Sequence, residues 1–141
     1  MTGRLRLAAA VAATAALAGC SGTSPAEPDP VDTLIGPTWS LVTLNGQPVL
    51  SGTQVTAVFS TGERVNGKAG CNGYFGSVRL EPGRVAFGTL GATRMACFPE
   101  SIMDQEQRFF GALEAATHFS VRGEELRLGP SSATTTLVFR R

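Results

Sequence analysis

Few side chains in this 141-residue sequence have types suited to covalent or metal chemistry: Cys20, Cys71, Cys97 and the single histidine, His118. Cys71 lies in the stretch GKAGCNGYFG (67–76), and Cys97 closes TRMAC (93–97). A thiol becomes a nucleophile when a base, normally histidine, draws off its proton. Cys71 with His118 is therefore the one nucleophile–base pairing the residues offer. A zinc site needs three or four Cys, His or carboxylate ligands close together. Two remaining cysteines, one histidine and no C-x-x-C give no such set, and no cofactor is expected. The sequence also lacks G-x-S-x-G, a Walker loop, a G-x-G-x-x-G after a strand and H-E-x-x-H. Glu63, Glu81, Glu124 and Glu125 fall at predicted turns. Glu100, Asp104, Glu106 and Glu114 read as the wet face of a helix.

The N-terminus sets the compartment in which those thiols would act. A basic head with Arg4 and Arg6 precedes the apolar run Leu7–Leu17. A bilayer-spanning helix needs about 20 apolar residues, so this run is too short. The layout is that of a secretory signal over 1–19. Leu17-Ala18-Gly19-Cys20 resembles the bacterial lipobox, which predicts a lipid on Cys20. One acyl chain anchors marginally and two anchor stably. The expected location is the extracytoplasmic side of the cell membrane or outer membrane. Loss of 1–19 removes Arg4 and Arg6, leaving ten basic and eleven acidic residues. No strong field remains to recruit nucleic acid. Outside the cytoplasm, Cys71 and Cys97 form an even pair where disulfides persist. Closing that loop would stabilise the fold by roughly 3–4 kcal/mol on the chain-entropy model. A free Cys71 nucleophile stays as the alternative.

The elements that must position these residues are short strands. Residues 20–35 carry Pro25, Pro28 and Pro30 among Ser, Asp and Glu. They are expected to form a disordered tether, with one folded domain over 36–141. Thr38–Leu44 is β-rich and is followed by Asn45-Gly46, a strong hairpin signal. Strands are predicted at 54–59, 64–69, 74–80 and 85–90, with a Pro82-Gly83 turn between the last two. Further strands are predicted at 118–122, 125–128 and 134–139. The stretch 99–116 has helical spacing instead. Ile102, Phe109, Leu113 and Ala116 share one face, which Met103 and Phe110 widen. Ser101 with Asp104 resembles a capping box. Asn72-Gly73 supplies turn chemistry, and Met95 reads as a core filler. Tyr74 and Phe75 face opposite ways on a strand, so one can be core and the other exposed. Tyr74, Phe75 and Arg94 are the candidate surface contacts. The fold class is mainly β (α+β), a small antiparallel barrel-like domain of about eight strands with one helix packed against it.

Three stretches together resemble the META domain, the domain of the heat-shock protein HslJ and its bacterial lipoprotein relatives. They are Thr38-Trp39-Ser40-Leu41 with Asn45-Gly46, Gly70–Gly76, and Thr93-Arg94-Met95-Ala96-Cys97. The helix and the closing strands follow in the family's order. The resemblance implies a compact barrel-like fold with one helix and a non-enzymatic envelope protein. It carries no agreed catalytic residues. Relatives are loosely linked to stress response and drug tolerance.

The function expected from residues and resemblance is a lipid-anchored, monomeric interaction or structural module. Its partners would be a membrane, through Cys20, and an envelope protein. A carrier of a small apolar ligand is the alternative, since a small barrel can hold one ligand inside. An enzyme using Cys71 and His118 is the third.

Overall fold

The computed structural model describes residues 28–61 and 63–141. The predicted signal, Cys20 and the first part of the tether lie outside the described residues. The elements in chain order are α1 Pro30–Leu34, β1 Thr38–Leu44, β2 Gln47–Pro48, β3 Gln54–Ser60, β4 Arg64–Gly70, β5 Gly73–Glu81, β6 Arg84–Ala92, α2 Ser101–Ala115, β7 His118–Arg122, β8 Glu125–Gly129 and β9 Leu137–Arg140. Eight strands run antiparallel in the order β1-β3-β4-β5-β6-β7-β8-β9, and β9 pairs back onto β1. The sheet is thus a closed barrel, with β2 as a two-residue addition. The expected fold class is met.

Alternation builds the wall. Trp39, Leu41 and Leu44 of β1 and Val55, Ala57 and Phe59 of β3 are buried, with more exposed residues between them. Inward side chains from β8 and β9, among them Leu126, Leu128, Leu137 and Phe139, are fully or nearly fully enclosed. Bulges interrupt the β1–β9 and β5–β6 ladders. Such extra residues bend a strand and help a small sheet close. The inward side chains of all these strands join in one hydrophobic core cluster.

The seam between β6 and β7 is the narrowest join. Its only register pair is Arg84↔His118, supported by Val85 N donating to Thr117 O (3.1 Å) and Phe119 N donating to Gly83 O (3.1 Å). Helix α2 lies between these strands in the chain and packs against β1, β4, β6 and β8. Its Phe109 is fully buried and meets Tyr74 at 5.6 Å and Phe139 at 6.5 Å between ring centroids. Burying such a side chain is worth roughly 1.5–3 kcal/mol.

Three expectations change. The tether does not extend to residue 35. Asp29 caps α1 by accepting from Val31 N (2.8 Å), Pro30 opens the helix, and Leu34 is buried with its carbonyl accepting from Trp39 Nε1 (3.0 Å). Asp-Pro is a good N-cap and first helical residue, so the stretch folds despite its polar composition. The Ser101–Asp104 capping box does not form. The α2 cap is Glu100, with no side-chain bond, and the free amides of Ile102 and Asp104 donate to Pro99 O and Glu100 O. The last strand begins at Leu137, because Thr134–Thr136 belong to a loop that folds back over β8.

Candidate functional site: a cross-linked corner between strands

The chain turns from β4 into β5 through Cys71 and Asn72. The left-handed backbone falls on Gly70 (φ 111°), not on Asn72 or Gly73. A side chain there would be strained, so glycine is required. Asn72 is thereby freed to point inward, and it is 2% exposed. Its Oδ1 accepts from Thr93 Oγ1 (2.8 Å) and Met95 N (2.7 Å). Its Nδ2 donates to Met95 O (3.2 Å) and Glu106 Oε1 (2.7 Å). A side-chain amide has two acceptor and two donor positions, and here all four are used.

Glu106 completes the network from α2. Its Oε2 accepts from Asn72 N (2.7 Å) and Cys71 N (3.3 Å). The carboxylate is buried, and three hydrogen bonds compensate its removal from water. Glu106 therefore does not belong to the wet face. Neighbouring Gln105 is buried too, accepting from Leu50 N (2.7 Å) and donating to Thr53 Oγ1 (3.0 Å). These two residues tie the helix to two separate corners of the barrel. Neither was recognised from composition. Helical spacing held the signal, because Glu106 falls four residues after Ile102 and three before Phe109, inside the apolar stripe.

Cys71 and Cys97 are bonded as a disulfide, with Cα atoms 5.9 Å apart. The same two segments are thus joined covalently and by the Asn72 bonds. Thr93 adds a third tie: its amide donates to Gly73 O (3.0 Å), and its Oγ1 accepts from Gly73 N (3.2 Å). The Cys71 sulfur is committed to Cys97. His118 sits at the β6–β7 seam, with Nδ1 2.8 Å from Thr117 Oγ1. Among the described residues no three His, Cys, Asp or Glu side chains gather as metal ligands.

The corner sorts its aromatic pair as a strand requires. Tyr74 points inward, is 3% exposed and donates from Oη to Thr56 O (2.9 Å). Burial pushes its phenol well above the ordinary range. Tyr74 is thus a core residue rather than a surface contact. Phe75 points outward and is 65% exposed. Met95 (54%) and Phe98 (86%) are exposed as well. Met95 is not a core filler, because its backbone is what Asn72 holds and its side chain is left outside. Arg94 is also exposed. Four large apolar side chains stand out among the described residues, and three of them belong to these two fastened segments.

A family model described as the META domain matches residues 32–141. The chain belongs to the META domain family. No curated protein matches the sequence. A solved NMR structure from Burkholderia xenovorans is similar, with 28% identity over 86% of this chain and 95% of that one, and a TM-score of 0.65. A second NMR structure has 22% identity over 77% of this chain and 92% of its own length, at a TM-score of 0.62. Both share the fold. The match from residue 32 agrees with a META domain that takes in most of α1 ahead of β1.

Proposed function

We propose that this META domain protein is a lipid-anchored interaction module of the cell envelope and not a catalyst. The observation that carries this is the corner itself. Its interior groups are fully satisfied, its cysteines are joined, and it holds Phe75, Met95 and Phe98 outward on a rigid frame. Exposed apolar side chains carried by two cross-linked segments are available to a protein contact, whereas a catalytic site needs unpaired acids, bases or nucleophiles. The lipobox-like Leu17–Cys20 supports the anchor, and the polar stretch that follows supports presentation away from the membrane. The extracytoplasmic side of the cell or outer membrane follows from the same residues.

Site-specific photo-crosslinking in cells tests the contact. A photoreactive side chain at position 98 is expected to give a discrete adduct that one at the exposed position Ala133 does not. Equal adducts at both positions defeat the reading. Mass spectrometry of the mature N-terminus tests the anchor, and an unmodified Cys20 ends it.

A further inference from the structure

A groove of about 340 Å³ opens where β6 meets β7, beneath the loop from β8 to β9. It lies at the other end of β6 from the cross-linked corner, roughly 25 Å away at about 3.3 Å per residue. Register sets its floor. Arg84 opposes His118, His118 opposes Gly129, and Ser120 opposes Arg127. These residues share the outer face of three adjoining strands.

The loop forms a fixed wall over that floor. Thr117 N donates to Gly129 O (2.9 Å), Thr136 N to Leu128 O (2.9 Å) and Thr117 Oγ1 to Pro130 O (2.7 Å). Gly129 permits the close approach, since a Cβ there would run into the carbonyl of Thr134. The Thr117 hydroxyl proton is committed to Pro130 O. Its 2.8 Å contact with His118 is then best assigned to Nδ1–H donating, which leaves Nε2 as the ring's open position.

The polar lining has one sign. Arg84 and Arg127 set it, beside the His118 ring and five hydroxyl side chains from Ser120 and the 131–135 loop, with no carboxylate. Two acids stand nearby. Glu125 binds Arg127 Nε (2.7 Å) and Arg140 (3.3 Å), leaving the terminal nitrogens of Arg127 available. Glu81 opposes Arg84 across the β5–β6 turn, yet among the described residues Arg84 makes no ion pair. Guanidinium forks and hydroxyl donors on a preformed wall suit an oxyanion. The volume sits at the lower end of small-molecule sites, which run about 300–1,000 Å³.

We propose that this groove binds a small organic anion, a phosphate or carboxylate on a body of a few carbon atoms. This does not rest on the interaction reading of the corner. The test is a titration of the full-length ¹⁵N-labelled chain with glycerol 3-phosphate, succinate and neutral glycerol. Saturating amide shifts at His118, Gly129 and the 131–135 loop are expected with one or both anions and not with glycerol. Arg84→Ala and, separately, Arg127→Ala should each weaken the anion at least tenfold, while Arg79→Ala should not. Two substitutions guard against one of them disturbing the seam. Equal shifts with glycerol overturn the proposal. So do unsaturated shifts spread equally over Arg79, Arg122 and Arg140. Phosphatidylglycerol vesicles form the last arm, and a response to them without any response to the free anions replaces the small-molecule site with a lipid headgroup.

Discussion

Two junctions of the barrel have been closed in opposite ways. At the corner, the turn after β4 and the segment after β6 are joined by a disulfide and by a network in which every donor and acceptor of Asn72 is used. At the seam, β6 and β7 share one register pair and two flanking backbone bonds, with a loop laid over the outside. The corner has no polar capacity left inside, and what it presents outward is apolar. The seam keeps Arg84 and the terminal nitrogens of Arg127 uncommitted, and what it presents is cationic. Where hydrogen-bonding capacity is spent inside the fold, the surface above it offers shape. Where it is left open, the surface offers charge.

If that contrast holds, the corner should be by far the costlier region to damage. Asn72→Ala leaves one side of the buried Glu106 carboxylate without its donor, and takes the partner from the part-buried Met95 amide and Thr93 hydroxyl. At about 1–3 kcal/mol for each unsatisfied group, the loss should come to about 4 kcal/mol. Urea unfolding measures it, and a loss below about 1 kcal/mol would show that water enters the corner freely. His118→Ala at the seam should cost about 1 kcal/mol or less, since it removes one exposed hydrogen bond. Equal costs at the two places would erase the distinction.

Removing the disulfide comes next. The cysteines are 26 residues apart, and Cys71→Ser with Cys97→Ser should lose about 3.5 kcal/mol on the chain-entropy model. Combined with Glu106→Ala, the loss should depart from additivity by at least about 0.5 kcal/mol, because both changes act on Cys71 and Asn72. Strict additivity in the double-mutant cycle would mean that cross-link and network hold the corner independently.

These two predictions rest on residues of unequal legibility. Cys71, Cys97 and the strand Thr38–Leu44 were readable, because an even cysteine pair and apolar alternation are visible in the sequence itself. The inward and outward facing of Tyr74 and Phe75 was readable only as a pair, and the helix had to be placed before either could be assigned. Glu106 has the charge of a wet-face residue but the position of a stripe residue, and position decides its burial. Its burial needs donors from Cys71 and Asn72, some 35 residues back in the chain, which no local pattern reveals. Thr134–Thr136 are strong strand formers, but the space over Gly129 claims them for a loop. The groove was invisible in sequence because Arg84, His118 and Arg127 meet only through register. Asp29-Pro30 did carry a helix-start signal, masked by the surrounding prolines.

Tyr74 gives a smaller effect that sharpens the comparison from inside the corner. It is the only tyrosine in the chain, so ultraviolet titration reports it alone. Its phenol is raised by burial, so the folded protein keeps the proton while the unfolded chain releases it at about pH 10. Above that pH the unfolded state binds fewer protons, and stability must fall as pH rises. Tyrosinate absorbance should therefore appear together with loss of the fold. Tyr74→Phe should remove this alkaline sensitivity and cost about 1 kcal/mol for the lost bond to Thr56. Ionisation near pH 10 in a folded protein would mean the corner opens to solvent.

The smallest expected effect separates the frame from what it displays. Phe98 is 86% exposed, so Phe98→Ser returns little apolar area to water on unfolding. Surface changes of this kind stay within about 0.5 kcal/mol. The same substitution should sharply reduce adducts from a photoreactive side chain placed at position 75, if both rings touch one partner. Asn72→Ala should also reduce those adducts, but only in proportion to the fraction unfolded. A Phe98→Ser variant that unfolds as readily as Asn72→Ala would assign Phe98 to the packing of the corner. A variant that stays folded and keeps its adducts would remove Phe98 from the contact surface and leave Phe75 and Met95 to carry it.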